Sequence, residues 1–384
     1  MQTNLESMEK SFVYGIAVND YNFTGRKAEV KRLTNDFEGG INTILISPRR
    51  WGKTSLVNHV CRRLEGNGNL LTVCLDIFGC KTEYEFYNAL AAAVLKQTAN
   101  KVQAWMDEAR DFLLRLTPKI SFSPDPTADF GVSLGITPQT HSPEEVLNMV
   151  EIIAKRKNKH IVVCIDEFQQ VGEFADSRSF QARLRSVWQH HSDTSYCLYG
   201  SKRHMMSDIF LNRSMPFYQF GDILWLQKIP TEDWIDYITS HFEAAGRHIS
   251  PEMAIHICKA VDNHPSYVQH LALILLNQLA QGDVASVSQL PSAVDELVST
   301  NEALYMQQVE PLSAYQMNLL RAIVSGIHSG YSEKAVRNSY DLGSPSNIDR
   351  LRKALIERDL IYSEMRKLYI TDPVFVLWFK KRFL

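Results

Sequence analysis

The stretch "ISPRRWGKTSL", residues 46–56, ends like a phosphate-binding loop but has a serine where such loops begin with glycine. In the pattern G-x-x-x-x-G-K-[ST], the first glycine position falls on Ser47, while Gly52, Lys53 and Thr54 match. "NTILIS" before the loop predicts a buried strand, and "KTSLVNHVCRRL" after it predicts an amphipathic helix. The sequence therefore predicts a phosphate-binding loop between a strand and a helix.

Each matching residue of this loop has its own task at the start of the helix. Backbone N–H groups and the partial positive charge of a helix N-terminus attract an anion. Gly52 lets the backbone approach the phosphates, Lys53 reaches the β and γ oxygens, and the Thr54 hydroxyl ligates Mg²⁺. A left-handed Ser47 would cost only about 1–2 kcal/mol, which several phosphate contacts offset. We therefore expect a nucleotide to bind here together with Mg²⁺.

An acidic pair ends the strand-like run "HIVVCIDEFQQV", residues 160–171. In phosphate-loop enzymes an acid at the end of a neighbouring strand holds Mg²⁺, and a following glutamate orients and deprotonates the attacking water. Asp166 and Glu167 have the residue types and the position for these two roles. The pair predicts hydrolysis of the nucleotide as well as binding.

Polar and basic residues follow the next strand-like run, "SYCLYGS". Ser201 has two interpretations: a sensor that touches the γ-phosphate or the water, or an ordinary N-cap of the next helix. Arg203 and Arg213 are candidates for neutralising charge in the transition state, although single arginines at such positions are also common solvated surface groups. All of these alternatives stay open at the level of the sequence.

The composition is that of a folded globular protein. Hydrophobic residues make up 45% and charged residues 22% of the chain, and the net charge is −2. Such a balance gives no general attraction to nucleic acid or membrane, so any partner of that kind has to use a local patch. The longest aliphatic run towards the C-terminal half, "LALILL", is too short to cross a bilayer. We expect no membrane partner.

The cysteines and the first residues predict a cytoplasmic protein. "MQTNLESMEK" lacks the basic-then-apolar order of a secretion signal. The six cysteines are scattered without a C-x-x-C pair, and Cys74, Cys164 and Cys197 lie in apolar strand-like runs. They are typical of small buried hydrophobes in a reducing compartment and not of a disulfide or zinc framework.

The order of the patterns predicts an α/β core followed by helices. Strand-like runs at 43–47, 70–77, 160–166, 195–200 and 222–227 alternate with helical patterns at 53–65, 82–98, 143–157, 178–191, 203–211 and 231–245. Such alternation predicts a mostly parallel sheet covered by helices. From residue 251 the patterns are helical, and from about residue 312 three short helices, a two-stranded wing around Glu364 to Lys367 and a closing helix follow. "PKISFSPDPTADFGVSLGITPQT" predicts a surface hairpin inserted at about 118–140.

Several of these pieces resemble one family. "FTGRKAEVKRL", "SPRRWGKTSL", "CIDEF", "YGSKRHMM", "NHPSYVQHL" and "DPVFVLW" look like the archaeal-type ATPases, which belong to the signal-transduction ATPases with numerous domains and are related to AAA+ and origin-recognition ATPases. The resemblance covers nearly the whole chain. It implies a P-loop ATPase core at 1–246, a helical lid at 247–311 and a winged-helix domain at 312–384.

The resemblance also implies a set of site residues. The segment around Phe23 and Gly25 would lie beside the adenine, and Asn263-His264-Pro265 is similar to the G-x-P element by which a helical lid touches the nucleotide, with Pro265 as the contact. Asparagine adopts left-handed conformations more readily than most residues, so it is suited to replace that glycine. The full set of expected nucleotide-binding residues is Phe23, Gly25, Pro48, Arg49, Arg50, Trp51, Gly52, Lys53, Thr54, Ser55 and Pro265. Glu167, Lys53 and Ser201 are the expected catalytic residues, and Thr54 and Asp166 the expected Mg²⁺ ligands.

The C-terminal end is more basic than the rest of the chain. Residues 312–384 contain 12 Lys and Arg against 7 Asp and Glu, a net charge of +5, and the remainder contains 29 against 36, a net charge of −7. "SNIDRLRKALIERDLI" would be a recognition helix, and the basic residues expected to meet DNA are Arg350, Arg352, Lys353, Arg366 and Lys367. Contacts with a protein partner are the alternative use of such a domain, and both stay open.

The sequence thus predicts a Mg²⁺-dependent ATPase that acts as a nucleotide-controlled switch, on or with DNA. The alternative is a protein that binds ATP, turns it over slowly and works as a scaffold or DNA-binding regulator. A small-molecule kinase is disfavoured, because no pattern marks an acceptor site and Glu167 suits water as the nucleophile.

Overall fold

The computed structural model describes residues 12–98 and 142–384. The hairpin predicted at about 118–140 lies outside the described residues. The chain forms two compact units. The sheet unit comprises Arg26–Arg49 and Lys53–Gln227, and the described part of the helical unit comprises residues 12–25, Arg50–Gly52 and Lys228–Leu384. Three residues of the phosphate-loop sequence therefore group with the helical unit.

A five-stranded parallel sheet forms the centre of the sheet unit, with strand order β2-β3-β4-β1-β5. The strands are β1 (Thr43–Ile46), β2 (Leu70–Asp76), β3 (His160–Asp166), β4 (Thr194–Gly200) and β5 (Asp222–Trp225). Every residue of β1 and β4 is buried, as expected for inner strands covered on both faces. Because the strands are parallel, their carboxyl ends share one edge of the sheet, where α/β proteins bind ligands.

Helices cover this sheet and connect its strands. In chain order they are α1 (Lys27–Glu38), α2 (Lys53–Leu64), α3 (Glu83–Thr98), α4 (Pro143–Lys157), α5 (Ser177–Trp188) and α6 (Arg203–Leu211), with a short 3₁₀ helix at Phe168–Glu173. The start of α4 is fixed by a capping box, in which the Ser142 hydroxyl accepts from the Glu145 amide at 3.2 Å and the Glu145 carboxylate accepts from the Ser142 amide at 2.9 Å. The helices predicted at 53–65, 82–98, 143–157, 178–191 and 203–211 are all present.

The helical unit has its own apolar core. Its first helices are α7 (Thr231–Ala244), α8 (Pro251–Ala260), α9 (Pro265–Asn277) and α10 (Leu290–Val309), with a 3₁₀ turn at Val287–Gln289. Proline stands in the first turn of α8, α9 and α10, where its missing N–H has no helical partner to lose. Trp234 and Trp378 belong to the core of this unit.

The end of the helical unit is a winged helix. Its elements are α11 (Ala314–Val324), α12 (Lys334–Tyr340), α13 (Pro345–Glu357), β6 (Ile361–Glu364), β7 (Lys367–Ile370) and α14 (Pro373–Phe383). The antiparallel pair β6 and β7 is joined through Met365 and Arg366, whose φ angles of 47° and 65° are those of a tight hairpin turn. The wing predicted around Glu364 to Lys367 is therefore present.

The prediction for the cysteines was partly wrong. Cys74 is exposed, because β2 is an edge strand of the sheet. Cys61, Cys74 and Cys164, which are far apart in the sequence, converge in space. In the described part of the chain, no helix has the length and apolar character needed to span a membrane.

Candidate functional site

The carboxyl edge of the sheet brings together residues from the loop and the acidic pair. The Thr54 hydroxyl, in the first turn of α2, donates a hydrogen bond of 2.6 Å to Oδ2 of Asp166 at the end of β3. The Oδ1 atom of Asp166 accepts from the Glu167 amide at 2.8 Å. A hydroxyl and a carboxylate are oxygen donors of the kind that Mg²⁺ prefers. The two residues expected to hold Mg²⁺ are thus in direct contact.

Lys53 is a buried ammonium beside these acids, with a relative exposure of 5%. Its Nζ donates to the carbonyl of Pro48 at 3.3 Å, and the same carbonyl accepts from the Ser47 hydroxyl at 3.1 Å. Burial lowers the pKa of Lys53 and Arg49 lowers it further, while Glu167 and Asp166 oppose this shift. A buried cation bonded to a neutral carbonyl is well placed to gain from an anionic partner such as phosphate.

Asp166 is held in an environment that disfavours its charge. Burial is the largest cause that raises its pKa, to about 6, and the nearby Glu167 charge adds to the increase. The hydrogen bonds from Thr54 and from the Glu167 amide oppose the shift, as does the charge of Lys53. Perturbed carboxyl groups of this kind are frequent at functional sites, where a bound cation would restore the charged form.

Glu167 stands at a left-handed position of the backbone, with a φ angle of 53°. The conformation is uncommon for a residue with a side chain and is often found at functional sites. Oε2 of Glu167 accepts a hydrogen bond from the Ser201 hydroxyl at 2.9 Å and another from the Gln169 side-chain amide. Ser201, which follows β4, is therefore bonded to the expected catalytic glutamate.

The loop residues that group with the helical unit have a cationic environment there. Arg50 and Gly52 have left-handed φ angles of 64° and 86°, and no atom lies within 4 Å of where a Cβ of Gly52 would stand. The Trp51 ring packs edge-on against His264, and the Lys228 ammonium lies 5.8 Å from the Trp51 ring centre. Burial lowers the pKa of His264 to about 3, and Lys228 and Arg50 add to the decrease. Two positive groups thus lie near a neutral histidine, and one of them, Lys228, is paired with Asp262.

The remaining loop residues differ in their exposure to solvent. Pro48 and Ser55 are buried, and Arg49 is exposed. Among the described residues, those with a positive φ do not include Ser47, so replacing glycine with serine carries no left-handed strain. The substitution that distinguishes this loop from the pattern is therefore compatible with its backbone.

Phe23, Gly25 and Pro265 lie in the helical unit. Phe23 is half-buried and Pro265 is buried at the first turn of α9. Gly25 has a φ of 64°, and a Cβ there would lie 2.8 Å from Ile229 Cγ2, so a side chain is excluded. Asn263, before Pro265, has the left-handed φ of 54° that suits a glycine position. Their roles beside a nucleotide stay predictions.

The two candidate arginines differ in their surroundings. The Arg203 guanidinium lies over the Trp225 ring, 5.4 Å from its centre, and Arg213 is exposed after α6. Stacking on an aromatic face is a common structural use of arginine. Neither geometry assigns a transition-state role to these residues.

The basic residues of the winged helix are unequally available. Arg350 and Lys353 on α13 and Arg366 and Lys367 in the wing are exposed. Arg352 is half-buried, and its Nη1 lies 3.4 Å from Oδ1 of Asp349. The four exposed residues are thus the stronger candidates for contact with a polyanion.

Sequence reasoning missed Gln169 and His264 as site residues. Gln169 is visible in "IDEFQQV" as a polar residue directly after the acidic pair, but its contact with Glu167 depends on the left-handed turn. His264 is the middle residue of the quoted Asn-His-Pro element. Its Nδ1 is buried and has no hydrogen-bond partner among the described residues.

Comparison with known proteins identifies the fold. Residues 303–381 match the family model described as "probable winged helix domain". No curated protein sequence matches the chain. The structure resembles the Walker-type ATPase PABY2304 of Pyrococcus abyssi, with a TM-score of 0.70 and 16% identity over 96% of this chain and 99% of that chain.

Two proteins of Aeropyrum pernix are also similar. The ORC2 protein, solved as ADPNP–ADP complexes, has a TM-score of 0.55 and 15% identity over 94% of this chain and 96% of that chain. The ORC1 protein, solved in complex with DNA, has a TM-score of 0.50 and 14% identity over 98% and 97% of the two chains. The chain therefore has the predicted fold class, a parallel-sheet α/β core followed by helices and a winged helix domain, and this fold is similar to those of the three proteins.

Proposed function

We propose that this chain binds ATP with Mg²⁺ and hydrolyses it, and that the nucleotide state controls its action as a switch. The observation that carries the proposal is the hydrogen bond between Thr54 and Asp166 beside the buried Lys53. The sequence connects these residues only through two separate motifs, and the fold brings them together. The ATPase named among the structural neighbours supports the same function.

The residues present fit both groups. Thr54 and Asp166 offer the oxygen atoms that would hold Mg²⁺, and Asp166 gains from a cation because its charged form is disfavoured. Mg²⁺, when bound, supplies positive charge that neutralises the phosphate oxygens. Lys53 would bind the β and γ oxygens, and the open space beside Gly52 leaves room for the phosphates next to the backbone. Phe23, Gly25 and Pro265 remain proposed nucleotide contacts.

In the proposed reaction, Glu167 orients a water molecule and accepts its proton as the water attacks the γ-phosphate. A carboxylate at this position suits the role of general base. Ser201, bonded to Glu167 at 2.9 Å, would position that carboxylate and sense the γ-phosphate. The products are ADP and inorganic phosphate.

Slow turnover is a second candidate, in which the ATP-bound chain serves as a scaffold or regulator. It is favoured by the two donors on Oε2 of Glu167, because Ser201 and Gln169 occupy the atom that would otherwise bind water. We propose DNA as a partner of either form, through the exposed basic residues of α13 and the wing. The similarity to ORC1, solved with DNA, supports this partner.

The test is ATP binding by calorimetry together with steady-state phosphate release by the full chain. Lys53→Ala should weaken ATP binding at least about tenfold, because a charge-assisted hydrogen bond contributes about 1.5–3 kcal/mol. Glu167→Gln should retain binding and lose about 10²–10⁴-fold in rate, because the amide keeps the shape and removes the base. Lys81→Ala, at an exposed lysine of the sheet unit, is the matched control and should change neither quantity.

Unchanged ATP affinity in Lys53→Ala would contradict the loop assignment. Normal turnover in Glu167→Gln would show that Glu167 is not the general base. It would not contradict the proposed binding of the nucleotide. Measurable binding with a wild-type rate far below one turnover per minute would favour the scaffold over the active switch.

A further inference from the structure

Three cysteine side chains converge inside the sheet unit. Sγ of Cys61 lies 3.5 Å from Sγ of Cys74 and 3.9 Å from Sγ of Cys164. All three sulfur atoms lie within 4.8 Å of one another. The cluster joins three elements, since Cys61 is on α2, Cys74 on β2 and Cys164 on β3.

The sheet register brings these residues together. Cys74 and Cys164 are directly paired across the parallel strands β2 and β3, so their side chains point to the same face. Cys164 is paired in turn with Cys197 on β4, which places a row of three cysteines across the sheet. Cys61, from helix α2, meets this row at the end formed by Cys74 and Cys164.

Two of the three separations between the sulfur atoms are close to those of metal thiolates. With a metal–sulfur bond of about 2.3 Å, two thiolates on one tetrahedral ion lie about 3.8 Å apart. The two measured distances, 3.5 and 3.9 Å, lie on either side of this value. A disulfide between Cys61 and Cys74 would instead require the sulfur atoms to close to about 2.05 Å. An ion can therefore be bound with little movement of the backbone.

The cluster is open to solvent on one side. Cys61 and Cys164 are buried, and Cys74 is exposed on the edge strand. An ion arriving from solvent would meet Cys74 first, and an external ligand would complete its coordination on the exposed side. Three protein ligands with one open position form an established arrangement for thiophilic metals.

We propose that Cys61, Cys74 and Cys164 form a binding site for one thiophilic metal ion, Zn²⁺ or Cu(I). All protein ligands of this site are sulfur atoms. They are different residues from Thr54 and Asp166, the oxygen ligands proposed for Mg²⁺. This proposal does not depend on ATP hydrolysis. A failure of metal binding can therefore be told apart from a failure of the proposed function.

The test is metal binding by the reduced full-length chain. Titration with Co²⁺ should give thiolate charge-transfer absorption that saturates at one ion per chain and disappears when Zn²⁺ is added. A parallel titration with Cu(I), buffered by a chromophoric chelator, shows which of the two ions binds more tightly. Zn²⁺ should also raise the melting temperature, because a ligand of the folded state stabilises it.

Cys74→Ala is the informative variant, because this exposed side chain can be removed without opening the core. Metal affinity should fall at least about tenfold, the lower end of the loss seen when even an outer-shell partner is removed. Cys80→Ala is the control, since Cys80 is in the same unit and is outside the three-sulfur group. It should keep the absorption and the stoichiometry.

Two results would overturn the proposal. One is the absence of stoichiometric binding of both Zn²⁺ and Cu(I) by the fully reduced chain. The other is equal metal affinity in wild type and Cys74→Ala, which would place the ion elsewhere.

Discussion

The Thr54 hydroxyl donates a hydrogen bond of 2.6 Å to Oδ2 of Asp166, across a sequence separation of 112 residues. Thr54 lies in the first turn of α2, which follows β1, and Asp166 ends β3, so β4 lies between the two strands that lead to them. The parallel arrangement brings both to the same edge of the sheet. The bond therefore depends on the whole sheet and not on local sequence.

We expect Asp166→Asn to stabilise the nucleotide-free chain at neutral pH while removing Mg²⁺-dependent hydrolysis. The pKa of Asp166 is raised from 3.8 to about 6, chiefly by burial, so folding disfavours the ionised carboxyl. This shift corresponds to about 3 kcal/mol at most, and the loss of an acceptor for Thr54 subtracts about 1 kcal/mol. The expected gain in unfolding free energy is about 1–2 kcal/mol, measured by urea denaturation without nucleotide or metal.

The pH dependence of this gain has a definite sign. A carboxyl whose pKa is higher in the folded state lowers stability as the pH rises through the window between 3.8 and about 6. The gain from Asp166→Asn should be complete above that window and absent below it. Asp176→Asn, at an exposed position before α5, is the control and should give no such gain at neutral pH. A gain of equal size on both sides of the window would contradict the electrostatic cause.

We expect Gln169→Leu to raise the rate of ATP hydrolysis. The Gln169 amide donates to Oε2 of Glu167, and its own Oε1 is buried with no hydrogen-bond partner among the described residues. Leucine removes the donor and the unsatisfied oxygen at similar volume, so the fold should tolerate it. Freeing the carboxylate for water should increase turnover roughly tenfold, the effect of about 1.4 kcal/mol in the barrier.

The measurement is phosphate release at saturating ATP. Gln170→Leu, at the neighbouring half-buried glutamine, is the matched control and should leave the rate unchanged. A slower Gln169→Leu enzyme would show instead that Gln169 holds Glu167 in its working position.

The sequence was sufficient to predict most elements, because each has a strong local signal. The strand "TILI" is fully buried and apolar, and the observed helix Lys53–Leu64 coincides with the quoted amphipathic pattern. The two-stranded wing predicted around Glu364 to Lys367 is present, with its turn at Met365 and Arg366. Patterns of this kind depend on neighbours along the chain and are therefore readable without a structure.

Contacts between distant elements were less accessible. Cys74 lies in an apolar run and was expected to be buried, but only the strand order shows that β2 is an edge strand. The meeting of Cys61, Cys74 and Cys164 depends on the register of β2 against β3 and on the position of α2. The contact of Gln169 with Glu167 depends on a left-handed turn that no local pattern specifies.

We expect Glu151→Gln to destabilise the chain at neutral pH by about 1–3 kcal/mol, because buried donors lose a charged acceptor. Oε1 of Glu151 accepts from the Ser192 amide at 3.0 Å and from Lys155 Nζ at 2.9 Å, and its carboxylate also accepts from the Asp193 amide. These bonds tie α4 to the segment before β4. The measurement is urea denaturation across a range of pH.

The pKa of Glu151 sets the pH window of this effect. Burial would raise the pKa, but the hydrogen bonds outweigh it and hold the pKa at about 2, below the ordinary 4.5. A depressed carboxyl pKa gives stability that is present above 4.5 and is lost as the pH falls towards about 2. The difference between wild type and Glu151→Gln should shrink in that window. Glu144→Gln, at an exposed carboxylate of α4, is the control and should have only a small effect at neutral pH.

The last prediction concerns the proposed binding of DNA by the winged helix. Arg350 and Lys353 on α13 are exposed, so the double variant Arg350→Gln with Lys353→Gln removes two available charges. Each phosphate contact makes the logarithm of affinity fall with the logarithm of salt concentration by about 0.9, so the variant should flatten this slope by up to about two. Fluorescence anisotropy with a labelled duplex at several salt concentrations, in the presence of ATP or ADP, measures the slope.

A variant of equal charge separates a defined surface from general attraction. Lys380→Gln with Arg382→Gln removes the same charge from exposed positions of α14, outside α13 and the wing. If α13 contacts the phosphates, this control should leave the slope nearly unchanged, because the slope counts the charges that contact phosphate. Equal flattening by both variants would indicate attraction without a defined surface. If the wild-type chain shows no salt-dependent binding of duplex DNA, then the winged helix is better explained as a surface for a protein partner.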